Sequence, residues 1–342
     1  MKGLIVTAEH DLRLVDDIPM PVLGEYDALV RNECCLICNG TDNEIIAGTL
    51  AEIREYPVML GHESAGFIIE RGSKVRNFEI GDLVTRSIVR KNDRYASGWG
   101  GFSEYGIVTD YLAMVEDGYS DASRYTIGLM QRVFPPGITP IQAAMTITLK
   151  EVYSAFARLG ISAADVLLIV GDGPVGLCMT VISQVFGVKE VYMLGENEMT
   201  LPLAKRLGAR EVFNHFNHSD VQLLRSKCTG RINHYIDTVG TEATILQGMP
   251  FLAPDGFIDV YGLRTGDMLH LPLVGMRNFG VRFMQFPIHS AEGAAHEAIC
   301  SLVLSKAIDP EMLITHRLPI EDFQAGFRLI KEKKAVKVAL MF

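Results

Sequence analysis

No apolar run in this chain approaches the roughly 20 residues that span a bilayer, so the sequence holds no transmembrane candidate. The opening MKGLIVTAEHDLRL has one short apolar stretch and then charges, which is not the pattern of a secretory signal peptide. Basic tracts are missing too. Lys and Arg number 32 against 41 Asp and Glu, a net charge of −9. That balance argues against nucleic acid or an anionic membrane surface as partner. Cysteine is scarce: six in 342 residues, three of them crowded at Cys34, Cys35 and Cys38. They do not form a disulfide framework, and a reducing, cytoplasmic compartment is expected. Tryptophan occurs once, at Trp99, and no internal repeat or low-complexity segment is visible. What remains is 48% hydrophobic and 21% charged, which suits a globular chain with a sizeable core and about two domains.

The most informative stretch is Val166 to Gly176, VLLIVGDGPVG. Five apolar residues suit a buried parallel strand, and Gly171, Gly173 and Gly176 follow at G-x-G-x-x-G spacing. The next block, Leu177 to Val185, keeps helical spacing without proline. Strand, glycine turn and helix are the context in which this motif signals dinucleotide binding. Gly171 permits the tight turn, Gly173 lets backbone N–H groups approach a pyrophosphate, and Gly176 lets helix and strand pack closely. A βαβ unit whose glycines serve only the turn is the plain alternative.

Up to about residue 140 the chain is β-rich: LIV, ALVRNE, SAGFIIERG and DLVTRSIV are short runs parted by Pro, Gly and Asp, as in a barrel or sandwich. Thr139 to Leu159 reads as a helix with Pro140 in its first turn. From Val166 strands and helices alternate: EVYML, LPLAKRLGA, EVFN, HYIDTV, ATILQGMPFLA and GFIDVYGL. Such alternation means a doubly wound parallel sheet. The tail reads as helix (Ala294 to Leu304), strand (Ile314 to Leu318), helix (Ile320 to Glu332) and strand (Ala335 to Met341). A β-rich start, an inserted nucleotide domain and a short return suggest a discontinuous domain.

Two spots carry metal-ligand chemistry: Cys38 in CCLICNGTDNEI, and His62–Glu63 in LGHESAG. Thiolate, imidazole and carboxylate are the ligand types of a catalytic Zn²⁺ that keeps a position open for substrate. A small core cysteine and a turn histidine are the plain alternatives.

Gly61-His62-Glu63, the earlier C-x-x-T-D, the later GGFSEY, the G-x-G-x-x-G strand and DTVG at Asp237 to Gly240 together resemble the medium-chain dehydrogenase/reductase superfamily. The zinc-dependent alcohol, polyol and sugar dehydrogenases are the branch most alike, and GTDNEI is similar to a stretch of its microbial glucose dehydrogenases. The resemblance implies an α/β chain: a discontinuous GroES-like β-barrel catalytic domain (1–148 and 290–342) and a doubly wound Rossmann dinucleotide-binding domain (149–289). It implies hydride transfer from a secondary alcohol (a polyol, sugar or related alcohol) to NAD(P). Cys38, His62 and Glu63 would be zinc ligands, and Thr41 and Glu63 would take part in catalysis. Gly171, Gly173, Pro174, Val175, Gly176, Glu196, Val239 and Gly240 would hold the dinucleotide. A homodimer or homotetramer is implied, paired through the edge at Met276 to Phe286. The substrate pocket would draw on Thr41 to Glu44, Trp99, Lys150 and the loop after Gly262.

Three departures from the family pattern matter. One residue is inserted between Cys38 and Thr41, so Asn39 competes with Cys38 for the ligand position; Cys38 is the preferred reading. A further ligand usually lies in the helix before the nucleotide domain, but Ile147 stands there, and Glu151 follows a turn later. The site would then be Cys38, His62, Glu63 and water, or be poor in metal. No Cys lies between Asp82 and Glu104, so a structural zinc is not expected. For the cofactor, Gly195 takes the place of the usual ribose-binding Asp, which favours NADP. No basic residue follows, and Glu196 would repel a 2′-phosphate, so NAD is the expectation and NADP the alternative. Rival readings are a zinc-independent quinone or enone reductase and a nucleotide-binding protein with little catalysis. Trp99 is read as packing under the glycine-rich loop, His316 as structural, and His215 and His218 as exposed.

Overall fold

The computed structural model describes residues 1–263, 268–272 and 278–342. The chain divides into two units: Met1–Lys150 with Ile288–Phe342, and Glu151–Pro287.

In the first unit β1 (Gly3–Val6), β2 (Leu12–Val15), β3 (Asp27–Leu36), β4 (Val58–Met59), β5 (Ser64–Arg71), β6 (Leu83–Thr85), β7 (Ala96–Ser97) and β8 (Tyr105–Thr109) are joined by loops and the short helices α1 (Thr41–Ala47) and α2 (Tyr111–Glu116). The long helix α3 (Pro140–Leu159) follows.

The second unit holds β9 (Val166–Val170), α4 (Pro174–Val185), β10 (Glu190–Gly195), α5 (Thr200–Arg206), β11 (Glu211–Asn214), α6 (His218–Cys228), β12 (Ile232–Asp237), α7 (Glu242–Gln247), β13 (Leu252–Val260) and β14 (Phe279–Phe283). Its six strands are ordered β11-β10-β9-β12-β13-β14, every pairing parallel. The strand order reverses direction between β9 and β12, which is where a doubly wound sheet opens its ligand crevice. Leu168, Val170, Tyr192, Phe213, Tyr235 and Ile258 belong to the buried core of this unit.

The chain then returns to the first unit as α8 (His289–Ala294), α9 (His296–Leu304), β15 (Ile314–Pro319), α10 (Phe323–Lys331) and β16 (Lys337–Met341). One sheet there runs β2-β1-β4-β7; the other runs β15-β16-β3-β5-β6, with β8 also on β3. The last strand of the chain thus lies against β3, pairing Leu340 with Cys35.

Several boundaries differ from the sequence reading. ATILQGMPFLA is helical only to Gln247; Gly248 caps it, Met249–Phe251 makes a 3₁₀ turn around Pro250, and β13 starts at Leu252. Proline offers no N–H to continue a helix. The helix expected over Ala294 to Leu304 is α9, which starts at His296, with the separate helix α8 ending at Ala294 just before it, and Ile320–Asp322 is a 3₁₀ turn before α10. Met276, Arg277 and part of the loop after Gly262 lie outside the described residues. Among those described, no helix is long and apolar enough to cross a membrane.

Candidate metal centre and nucleotide turn

The ladder between β3 and β5 builds the candidate metal centre. Cys35 pairs with Ser64, and the Leu36 N–H donates to the Glu63 carbonyl at 3.1 Å. The end of one strand therefore meets the start of the other, and Cys38 arrives beside His62 and Glu63. Gly61 makes the approach possible. Its φ is +103°, and a Cβ there would lie 2.5 Å from the Phe102 backbone nitrogen, so only glycine fits.

The ligand atoms of Cys38, His62 and Glu63 all lie within 4.8 Å of one another. A thiolate, an imidazole and a carboxylate converging in this way fit zinc. The described residues add no fourth His, Cys, Asp or Glu to the group. Ile147 is fully buried in α3, and an alkyl side chain ligates nothing. Asn39 is engaged elsewhere: its carbonyl and its side-chain oxygen accept from Asn43 Nδ2 at 2.7 and 3.1 Å. Cys34 and Cys35 are buried on opposite faces of β3. Burial pushes the Cys34 thiol up to about 12, and Cys34 does not join the Cys38, His62 and Glu63 group.

Two residues of the centre were not singled out from the sequence. Asp42 is fully buried. Its Oδ2 accepts the Cys38 N–H at 2.9 Å, and its Oδ1 lies 3.6 Å from His62 Nδ1. Among the described residues neither Asp42 Oδ1 nor His62 Nδ1 has a hydrogen-bond partner, so two buried polar atoms face each other across that gap; His62 Nε2 stands 4.0 Å from Glu63 Oε1. Burial pushes the imidazole down, but Asp42 and Cys38 outweigh it and hold His62 well above its ordinary range. This pocket is built to receive positive charge. Lys337, on β16, is equally buried and donates to both Glu63 oxygens at 2.6 and 2.5 Å and to the Ile37 carbonyl at 3.3 Å. Burial opposes its charge, yet Glu63 and Cys38 raise it beyond the usual lysine range. The only sequence signal for Asp42 was its place after Thr41; Lys337 had none.

Thr41 opens α1, half-buried, one residue before Asp42. Trp99 is more than loop packing. It holds a left-handed φ of +70°, uncommon for a bulky residue, and its ring lies 5.3 Å from that of His62. Lys150 is wholly buried, with its ammonium 5.4 Å over the Phe134 ring.

In the second unit, Gly171 turns the chain at φ +100° and Gly173 caps α4, with Pro174 and Val175 in its first turn. A Cβ on Gly176 would collide with the Gly171 carbonyl oxygen, and one on Gly171 with the Thr238 hydroxyl. Gly173 is different: no atom lies within 4 Å of where its Cβ would sit. An open glycine at the start of a 12-residue helix fits a pyrophosphate. The Val239 and Gly240 N–H groups both donate to the buried Asp237 carboxylate at 3.0 Å. Glu196 turns its side chain to the exposed His215, 3.5 Å away.

Residues 24–117 match the family of alcohol dehydrogenase GroES-like domains, and residues 174–287 match the zinc-binding dehydrogenase family. An alcohol dehydrogenase of Cupriavidus necator is 26% identical, over 99% of this chain and 98% of that protein. A sorbitol dehydrogenase of Rattus norvegicus is 23% identical, over 99% and 95%. Among solved structures, the alcohol dehydrogenase TADH from Thermus sp. ATN1 superimposes with a TM-score of 0.81 at 22% identity, over the full length of both chains. With both family models matched in order, the chain belongs to the zinc-type medium-chain dehydrogenase/reductase superfamily.

Proposed function

We propose that this protein is a zinc-dependent dehydrogenase that moves hydride from a secondary alcohol, such as a polyol or sugar, to a nicotinamide dinucleotide. The observation that carries this is the convergence of Cys38, His62 and Glu63 within 4.8 Å. The similarity to alcohol and sorbitol dehydrogenases points the same way. In this reading the first unit is the GroES-like catalytic domain and the second the Rossmann dinucleotide-binding domain. A zinc-independent reductase of quinones or enones has no use for a thiolate, an imidazole and a carboxylate on one spot, so that alternative is set aside.

When bound, zinc supplies Lewis acidity that eases deprotonation of the substrate hydroxyl, and the dinucleotide takes up the hydride. The chain's own residues do the rest. Cys38 and Glu63 bring negative charge to the ion. Asp42 places a buried carboxylate 3.6 Å from the His62 ring. Lys337 holds Glu63 by both carboxylate oxygens and would partner it whether or not it ligates the ion. Thr41 would hydrogen-bond the substrate oxygen with its hydroxyl, taking the substrate proton as it gives its own to solvent, and Trp99 excludes water beside His62. Gly171 to Gly176, with Val239 and Gly240, cradle the dinucleotide. The same reading gives one catalytic zinc and no structural zinc, NAD as the dinucleotide, a cytoplasmic setting, and a dimer or tetramer paired along the β14 edge.

Turnover of a panel of sugars, polyols and simple alcohols with both dinucleotides, before and after chelation of zinc, tests this function. Chelator-sensitive oxidation of a secondary alcohol is the expected outcome; chelator-resistant reduction of an enone would refute it. Asp42→Asn should weaken zinc binding by about 10–100-fold, the usual effect of losing a carboxylate behind a metal-bound histidine; competition with a chromogenic chelator measures it. Gly176→Ala should cost about 1–3 kcal/mol of stability through overpacking against Gly171 and weaken dinucleotide binding. Thermal melting with and without NADH checks both.

A further inference from the structure

Strand β10 ends at Gly195, a residue with no side chain. The carboxylate of Asp172, from the glycine turn after β9, fills that place. A Cβ built on Gly195 would lie 2.6 Å from Asp172 Oδ2 and from Asp172 Cβ, so no side chain fits at residue 195 while Asp172 stands there. Asp172 is itself 8% exposed. Its Oδ2 accepts three hydrogen bonds: from the Glu196 N–H at 3.2 Å, the Asn197 N–H at 2.8 Å and the Thr200 hydroxyl at 2.6 Å. Two successive backbone N–H groups and a hydroxyl gathered on one oxygen make an anion-binding nest. Here the anion belongs to the chain.

We infer that Asp172 occupies the site a 2′-phosphate would need, and that it sets a preference for NAD(H) over NADP(H). This rests on the dinucleotide reading above. In a doubly wound sheet the end of the strand after the glycine turn holds the adenosine ribose, by a carboxylate on its hydroxyls or by groups that receive a 2′-phosphate. β10 is that strand, adjacent to β9. A 2′-phosphate arriving there meets three donors already bonded to Asp172, and it meets a carboxylate of like charge. A ribose with free hydroxyls meets neither obstacle, since a hydroxyl donates to a carboxylate. The acid that discriminates therefore comes from the glycine turn, and Glu196 is drawn aside toward His215.

Fluorescence titration of NADH and NADPH into the full chain tests this, comparing the wild type with Asp172→Ala and Asp172→Asn and following each by thermal melting. The wild type should bind NADH at least about tenfold more tightly than NADPH. Asp172→Ala frees the nest and removes the charge, so NADPH affinity should rise by about tenfold or more. Asp172→Asn removes the charge but keeps an oxygen for the N–H groups. It should give a smaller rise, and it carries the test if Asp172→Ala fails to fold. Equal binding of the two dinucleotides by the wild type overturns the inference, as does an unchanged ratio in folded variants. A wild type that binds neither overturns the dinucleotide reading and this inference with it.

Discussion

Replacing His62 by alanine should lower kcat/KM for the alcohol substrate by about a thousandfold or more while the protein stays folded. The magnitude follows from the several kcal/mol that a Lewis-acidic ion contributes at a developing alkoxide, at 1.36 kcal/mol per tenfold in rate. His62 sits in a loop before β5 with its side chain mostly buried, and losing the ring leaves only Cys38 and Glu63 as candidate ligands. Circular dichroism and melting show whether the fold holds, and steady-state kinetics give the loss. Full turnover by a folded His62→Ala protein would contradict a metal-assisted reaction at this centre.

Replacing Lys337 by methionine should destabilise the protein by about 3–5 kcal/mol, the cost of leaving a buried charge without its partner. Glu63 is 3% exposed and Lys337 2%, and both carboxylate oxygens point at the one ammonium. The loss should be greatest in zinc-free protein, because a bound cation offers Glu63 another partner. A double variant, Glu63→Leu with Lys337→Met, should recover most of the stability, since replacing a whole buried pair by apolar groups is often neutral. Urea unfolding of the four proteins, with and without zinc, measures both effects. A Lys337→Met protein as stable as the wild type would show that the pair is not a structural tie.

What could be read from the sequence was whatever depends on local spacing. The five apolar residues before Gly171 and the glycines at fixed steps announced β9, the turn and α4, because periodicity and backbone freedom act over a few residues. Cys38 and the His62–Glu63 pair were visible as ligand types, and the β3–β5 ladder brings them together. The rest depends on distant chain. Lys337 reaches Glu63 across 274 residues because β16 lies beside β3, and no window of sequence contains both. Asp172 was visible only as a spacer between two glycines; its role depends on Gly195 making room one strand away. Trp99 reads as loop packing in the sequence because its left-handed backbone, which accompanies its placement beside His62, leaves no mark in composition. The end of α7 is hidden in the sequence because the apolar run continues through Gly248 and Pro250 into β13, and hydrophobicity alone does not separate helix from buried strand.

The central claim is that Cys38 and His62 hold one ion, and elemental analysis of protein purified without chelator tests it most directly. The expected result is about one zinc per chain in the wild type and almost none in folded Cys38→Ser. Zinc-free wild-type protein, or equal zinc in the two, would contradict it.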